Sequence, residues 1–221
     1  MKKVYAGIIG TLLAFGITGT ASADLINNGS FETPEIGTPE EGDYPITDGG
    51  SSSWTVFQSI DGQWETLSGQ GIEIQANGTL NNITTPFGNQ YVELDSHPAP
   101  GDTKMGQTVS LSSGIYELSF YYRPRTNDQT LDNGISWGYD GASSTNLLGS
   151  VDWTTGWQQL TSTITITQES DYTIWFAAFG SSDGVSPDSN TLGGLIDNVS
   201  MNPVPEPATM LLFGTGIAGL T

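Results

Sequence analysis

The chain has no cysteine, one histidine and five lysine or arginine residues among 221, against 24 aspartate and glutamate residues. The missing cysteines exclude disulfides, thiolate metal sites and thiol nucleophiles, and one histidine excludes a multi-histidine metal site. After two lysines near the N-terminus, the remaining cations are Lys104, Arg123 and Arg125. This balance argues against nucleic acid as a partner, because phosphates need cations, and against docking to anionic lipid.

The N-terminal segment has the pattern of a secretory signal. Two lysines precede an uncharged apolar stretch from Val4 to Thr20, and Ala21 and Ala23 frame a small-residue cleavage site. We therefore predict that signal peptidase removes residues 1–23 and that the mature chain begins at Asp24. The alternative is an N-terminal membrane anchor, since the stretch is near the lower length limit for a span.

The C-terminal segment carries a second targeting pattern. Val204, Pro205, Glu206 and Pro207 precede an apolar, glycine-containing run, and the prolines keep this linker out of a sheet interior. Residues 204–221 closely resemble the PEP-CTERM sorting signal of exported bacterial proteins. The resemblance implies processing by an exosortase, a membrane protease, and delivery to the cell surface or the extracellular polymer matrix.

The apolar run from Ala208 to Thr221 departs from that family pattern, because no arginine-rich cluster follows it. As a helix the run would be roughly 21 Å long, short of the roughly 30 Å hydrocarbon core of a bilayer. We therefore expect an exported protein whose membrane anchoring through the C-terminus is transient at most.

The central segment, residues 24–203, alternates apolar and polar residues between clusters of turn-forming residues, which is typical of short β-strands. Two strands have clear apolar faces, formed by Tyr116, Leu118, Phe120 and Tyr122 and by Tyr172, Ile174, Phe176 and Ala178. Shorter strands are predicted at 25–31, 53–58, 71–75, 89–94, 104–110, 160–167 and 195–201, with polar loops at 32–52, 124–133 and 180–194. Ten or so strands without a helix predict an all-β sandwich.

A second resemblance supports this fold class. The segment Leu25-Ile26-Asn27-Asn28-Gly29-Ser30-Phe31-Glu32 resembles the opening of galactose-binding-like jelly rolls, which include carbohydrate-binding modules and exported choice-of-anchor proteins. Gly88-Asn89-Gln90-Tyr91-Val92-Glu93-Leu94-Asp95, Trp157 and Ile196-Asp197-Asn198-Val199-Ser200 follow in the order of that family. The resemblance implies a β-sandwich jelly roll with neighbouring termini.

A structural calcium site is the first candidate for chemistry. Asp197 falls in phase with Leu195, Val199 and Met201, which predicts that it lies on the buried face. A buried carboxylate is costly unless it is paired or metal-bound, and Ca²⁺ takes carboxylates together with backbone carbonyls. The family resemblance implies that Glu32 meets Asp197 at the sandwich edge. The alternative is that Asp197 makes local backbone bonds and Glu32 is solvated.

A glycan-binding face is the second candidate, since sugars bind through aromatic rings and planar polar side chains. Tyr91, Glu93 and Asp95 share one strand face, and Tyr121 shares another with Arg123. Trp175 points away from its apolar neighbours, which predicts an exposed ring. These six residues are predicted to line one groove. The alternative is that the six tryptophans, like most large aromatic residues, belong to the core.

Catalysis is the third candidate. Glu93 and Asp95 are two residues apart, so their Cα atoms should be about 6.6 Å apart on one side of a strand, a spacing compatible with a glycoside hydrolase. One such pair is expected by chance among 24 acids. We therefore predict an exported, non-catalytic protein that binds carbohydrate or exopolysaccharide. The alternatives are a structural matrix protein acting through protein contacts and a glycoside hydrolase.

Overall fold

The computed structural model describes residues 23–36, 45–51, 54–80, 82–97, 102–128, 133–141, 144–178 and 193–205, with the backbone alone for 45–51. All regular elements in these ranges are β-strands. Within the same ranges, no helix is long and apolar enough to cross a membrane. The predicted signal segment up to Ser22, with Ala21, and the sorting residues Glu206 and Pro207 lie outside the described residues.

Over the described ranges, thirteen strands form two antiparallel sheets. In chain order they are β1 (Pro45–Ser51), β2 (Trp54–Phe57), β3 (Ser59–Ile60), β4 (Trp64–Ser68), β5 (Ile72–Ala76), β6 (Gln90–Glu93), β7 (Lys104–Leu111), β8 (Gly114–Pro124), β9 (Ile135–Gly141), β10 (Ser144–Val151), β11 (Gln158–Ile166), β12 (Ser170–Ala178) and β13 (Gly194–Pro203). The spatial orders are β1-β2-β5-β6-β13-β8-β11 and β10-β9-β12-β7-β4-β3. This architecture confirms the predicted all-β jelly-roll sandwich.

The core lies between the sheets and is built by the alternating strands that the sequence identified. The apolar faces of β8 and β12 both belong to the main buried cluster. Phe120 of β8 meets Phe176 of β12 edge to face, with ring centroids 4.9 Å apart. Large aromatic rings that meet across two sheets bury the apolar area that stabilises a sandwich without disulfides.

The two ends of the central segment lie side by side, as the resemblance implied. Met201 donates its backbone N–H to the Asp24 carboxylate at 2.9 Å, and Leu25 donates its own to the Met201 carbonyl at 3.0 Å. The strand predicted at 25–31 is a run of turns instead, because Asn28 and Phe31 take positive φ angles. A left-handed backbone conformation interrupts strand pairing.

Strand β13 corrects the predicted phase of Asp197. A bulge interrupts its pairing with β8 between Asp197 and Ser200, and Asn198 takes a φ of 50°. Leu195 therefore packs on the outside of the seven-stranded sheet, whereas Val199 and Met201 pack between the sheets. A bulge shifts the period-2 alternation by one residue, so one strand serves both faces.

Other differences concern strands that the sequence pattern did not predict. Residues 45–51 form edge strand β1, although the sequence predicted a loop over 32–52. Strands β9 and β10 form an antiparallel pair at the edge of the six-stranded sheet. Strand β10 is half-buried or exposed throughout and β9 is buried over its first four residues, so neither strand alternates regularly between buried and exposed positions.

Candidate functional site

A row of residues crosses the outer face, which is the side of the seven-stranded sheet that points away from the other sheet. Val56, Glu73, Glu93, Leu195 and Arg123 are successive cross-strand partners on β2, β5, β6, β13 and β8. Directly opposed residues of antiparallel strands point to the same side and lie close together. Two glutamates are therefore immediate neighbours on this face.

Glu73 and Glu93 share the amide of Gln75. The Gln75 Nε2 donates to both carboxylates, at 3.1 Å from Glu93 Oε2. Glu73 also accepts the backbone N–H of His97 at 2.6 Å, and Glu93 pairs with Arg125 at 2.6 Å. The Gln75 carbonyl oxygen is buried and has no hydrogen-bond partner among the described residues.

Burial dominates the electrostatics of this pair. It raises the pKa of Glu73 above the ordinary glutamate value and raises the pKa of Glu93 well above it. The Arg125 guanidinium lowers the pKa of both carboxyls, but by less than burial raises them, and the charge of Glu73 raises the pKa of Glu93 further. A desolvated pair of like charges therefore keeps a proton to higher pH than exposed glutamates do.

A cavity of about 220 Å³ opens beside this pair. It is lined by aromatic, acidic and amide side chains together with one guanidinium: Trp54, Glu73, Gln75, Thr79, Leu80, Asp95, His97 and Arg125. The Trp54 and His97 rings meet edge to face with centroids 5.4 Å apart. The cavity thus has an aromatic wall next to buried polar groups.

A small apolar cluster covers the neighbouring part of the outer face. Tyr91, Ile83 and Leu195 are buried there, and Trp157 packs on Tyr91 with ring centroids 5.8 Å apart. Trp157 is itself fixed by its indole N–H, which donates to the Thr84 carbonyl at 2.8 Å. Burial raises the pKa of Tyr91 to about 12. Tyr91 is therefore part of a packed layer and presents no ring to solvent.

The prediction that Trp175 is an exposed ring of the same groove is wrong. Trp175 lies on β12 of the other sheet and is 1% exposed. Its ring packs where Gly138 has no side chain, since a Cβ there would come within 2.4 Å of the indole. The indole N–H donates to Asp140 at 2.9 Å, and the Lys104 ammonium lies 4.1 Å from the ring centroid. Trp175 is a packing residue.

The other residues predicted for the groove lie on or beside one sheet but are spread across it. Asp95, just beyond β6, lines the cavity. Glu93 is not among the lining residues and forms the ion pair with Arg125. Tyr121 is farther along the face and packs on Phe87 with ring centroids 4.1 Å apart. Arg123 ends the row of cross-strand partners on β8.

The sequence pattern does not assign the following residues to the groove: Trp54, Glu73, Gln75, His97 and Arg125. The signal for two of them was present, because Ile72-Glu73-Ile74-Gln75 alternates apolar and polar residues. Alternation separates the faces of a strand, but it does not reveal that the polar face is itself covered. The five residues come from four separate parts of the chain, namely β2, β5, the segment after β6 and the segment after β8.

Asp197, on the interior strand β13, and Glu32, beside the start of β6, form a second acidic site on the seven-stranded sheet. Asp197 is fully buried, and it accepts hydrogen bonds from the Thr85 hydroxyl and from the Asn198 N–H at 2.6 Å. Burial raises the pKa of Asp197 to about 7, and the nearby charge of Glu32 adds to the increase. Glu32 accepts the backbone N–H groups of Asn89 at 2.8 Å and of Gln90 at 2.9 Å.

The donor set at this site consists of oxygens, namely two carboxylates and the Thr85 hydroxyl, which suits a hard cation such as Ca²⁺. Among the described residues, no three acidic or histidine side chains are grouped to hold a metal ion. The two ion pairs of those residues join Lys104 to Asp140 and Arg125 to Glu93. An ion at Asp197 would therefore need backbone carbonyls as further ligands.

The C-terminal segment of the chain matches a protein-family model. Residues 203–221 match the family model described as the PEP-CTERM protein-sorting motif, so the resemblance of this segment to that signal is confirmed. No curated protein sequence matches the chain.

Among solved structures the chain is similar to several β-sandwich domains. TmCBM61, solved with β-1,4-galactotriose, is 14% identical; the alignment covers 83% of this chain and 100% of that one, with a TM-score of 0.45. The CBM22-1 xylan-binding domain of Paenibacillus barcinonensis Xyn10C is 13% identical, covers 66% and 88%, and has a TM-score of 0.42. A carbohydrate-binding module of Cellvibrio mixtus lichenase 5A, solved with cellotriose, is 12% identical, covers 63% and 92%, and has a TM-score of 0.39. The ligands in these descriptions belong to those proteins.

The raised pKa of Asp197 predicts a pH-dependent loss of stability. A carboxyl whose pKa is higher in the folded state favours folding in its protonated form, so its contribution is lost as pH rises from the unfolded value near 4 to about 7. Three pH units correspond to about 4 kcal/mol. Asp197→Asn mimics the protonated carboxyl. With a chelator present, the variant should become more stable than the unmodified chain across this interval, by up to about 4 kcal/mol.

Urea denaturation of both proteins at a series of pH values measures this difference. Equal free energies of unfolding at low pH, diverging as pH rises, are expected. Parallel profiles would show that Asp197 does not titrate abnormally.

Proposed function

We propose that this is an exported, non-catalytic protein that binds carbohydrate in the outer-face cavity. The observation that carries the proposal is the juxtaposition of the half-buried Trp54 ring with the buried Gln75 carbonyl oxygen, which has no partner. An aromatic ring suits the C–H face of a sugar, and fixed polar groups suit its hydroxyls.

The size of the cavity fits this proposal. At about 220 Å³ it is smaller than the roughly 300–1,000 Å³ of sites for drug-sized ligands. It therefore suits one sugar ring, or the end of a chain, better than a large ligand. The polar groups are held before a ligand arrives, since Gln75 and Arg125 are both fixed by carboxylates. Preorganised groups lower the entropic cost of binding.

The arrangement of the carboxylates favours binding over glycoside hydrolysis. In retaining hydrolases two carboxyls flank the bond that is cleaved, about 5–5.5 Å apart. Here the Gln75 amide nitrogen lies between Glu73 and Glu93 and bonds to both. The alternative pair, Glu93 and Asp95, contains a carboxylate that is 1% exposed and engaged by Arg125.

The sorting motif supports a surface or extracellular location. We propose that signal peptidase cleaves after Ala23, that residues 24–203 act as one exported domain, and that an exosortase-type protease processes the segment 204–221. The expected destination is the cell envelope or the extracellular matrix, where a polysaccharide is an available partner. The match of residues 203–221 to the sorting motif supports this proposal.

We further propose that Ca²⁺ acts as a structural clip between Glu32 and Asp197. A divalent cation would neutralise a buried carboxylate that has no cation of its own among the described ion pairs. Its role would be to join the N-terminal turns to β13, which is a structural function separate from the cavity.

A structural matrix protein acting through protein contacts is the second candidate. The feature that favours it is edge strand β11, whose residues Thr161, Thr163 and Thr165 are exposed. An exposed edge strand can pair with a strand of another chain. Self-association that is independent of the cavity would distinguish this candidate.

Trp54→Ala should lower the affinity for any oligosaccharide that the protein binds by roughly tenfold or more, because it removes the aromatic wall. Isothermal titration calorimetry with neutral, amino and acidic oligosaccharides measures the effect. Trp153→Ala is the matched control, since Trp153 is also half-buried but does not line the cavity. Unchanged binding in the first variant, or equal loss in both, would contradict the assignment of the site.

Calcium should raise the melting temperature at neutral pH. A concentration roughly 100 times the Kd contributes about 2.7 kcal/mol, which corresponds to a rise of roughly 5–10 °C for a domain of this size. Glu32→Gln should abolish the rise, whereas Glu169→Gln, at an exposed position, should retain it. A rise that survives Glu32→Gln would place the ion elsewhere.

A further inference from the structure

The guanidinium that lines the outer-face cavity is already engaged. Arg125 is paired with Glu93 at 2.6 Å, and the cavity is otherwise lined by the acidic residues Glu73 and Asp95, by His97 and by neutral side chains. Lys104, the other cation with an ion pair among the described residues, is committed to a carboxylate of the six-stranded sheet. The Glu73 carboxyl is held by neutral donors, the Gln75 amide and the His97 backbone N–H, so it is a group that an incoming cation can compensate.

The Gln75 carbonyl oxygen is an independent sign of a missing donor. Gln75 is 2% exposed, its side chain lines the cavity, and its oxygen has no hydrogen-bond partner. The amide nitrogen bonds to Glu73 and Glu93, so the oxygen is the atom of the amide that is left without a partner. A buried acceptor without a donor is unfavourable, so a ligand that brings a donor would relieve it.

The two observations together select the chemistry of the ligand. An ammonium group has three donors and no acceptor, so it can bond to the Gln75 oxygen and to the Glu73 carboxylate at once. A hydroxyl would satisfy the amide oxygen but leave the charge uncompensated. The carboxylate of a uronic acid would be repelled by Glu73 and Asp95.

We propose that the cavity binds an amino sugar, a hexose unit with a free primary amine, and places its ammonium between Glu73 and the Gln75 carbonyl oxygen. This inference rests on the proposed carbohydrate-binding function and names the class of sugar. The Trp54 ring covers the apolar face of the same unit. A polysaccharide that carries unacetylated amino sugars is then the polymer that this protein recognises.

Three β-1,4-linked trisaccharides that differ at carbon 2 test the proposal: the trimers of glucosamine, N-acetylglucosamine and glucose. Calorimetry is performed at about pH 6, below the usual pKa of such an amine, in physiological salt. The glucosamine trimer should bind at least about tenfold more tightly than the other two. Glu73→Gln, and independently Asp95→Asn, should reduce this preference severalfold.

Glu117→Gln is the matched control, because it removes one negative charge at an exposed position of β8. It should keep the preference in full. Equal loss in Glu117→Gln and Glu73→Gln would show general attraction of a cation to an acidic protein and overturn the inference. Equal competition by trilysine would also overturn it, since the site would then select an amine without the sugar.

The possible results distinguish a failure of the amine preference from a failure of carbohydrate binding as a whole. Equal affinity for the three trimers, sensitive to Trp54→Ala, would overturn the preference for an amine and leave carbohydrate binding intact. No binding of any saccharide, neutral, amino or acidic, would overturn both. Tight binding of the glucosamine trimer that Glu73→Gln weakens and Glu117→Gln does not is the result that supports the inference.

Discussion

The burial of carboxylates in a chain with very few cations is the constraint on which the outer face depends. Glu73, Glu93 and Asp197 lie on one side of the seven-stranded sheet and are at most 5% exposed, while three lysine or arginine residues serve the whole chain beyond Lys3. Each buried carboxylate costs several kcal/mol of desolvation unless it is compensated. The three carboxylates are compensated in different ways. These differences distinguish a carboxylate that is fully paired within the protein from those that an external cation could still bind.

Glu93 has the conventional solution, a buried ion pair with Arg125 supplemented by an amide N–H. Glu73 is held by neutral donors, the Gln75 amide and the His97 backbone N–H, and it borders the cavity. Asp197 is held by the Thr85 hydroxyl and the Asn198 backbone N–H at the bulge of β13. The two carboxylates without an ion pair are those for which we propose an external cation, an ammonium at Glu73 and Ca²⁺ at Asp197.

The fold could be predicted from the sequence because apolar residues recur at every second position of its core strands. The apolar face of β8 was identified residue by residue, and the same holds for β12. Alternation failed where a local feature breaks it or where both faces of a strand are covered. The bulge at Asn198 changes the phase of β13, and Gly138 gives the Trp175 ring room to be buried on the outer side of its sheet.

The candidate site could be predicted only in part from the sequence, for a related reason. Glu93 and Asp95 were identified on their strand, but their partners come from β2, β5 and the segment after β8. Cross-strand register sets these neighbours, and a single strand pattern does not contain register. The site formed by Glu32 and Asp197 was indicated by the sequence, because the family resemblance implies that Glu32 meets Asp197. The calcium ion itself remains a prediction.

The state of the buried carboxylates can be observed directly by NMR of the glutamate carboxyl carbons in the free protein. Glu73→Gln and Glu93→Gln assign the two signals, and a pH titration follows them. We expect the Glu73 carboxyl to titrate above the ordinary glutamate pKa of about 4.3 and the Glu93 carboxyl well above it, and the pKa of Glu73 to fall when the glucosamine trimer binds. Two signals that titrate near the ordinary value in the free protein would show that the outer face is solvated, and would contradict the account.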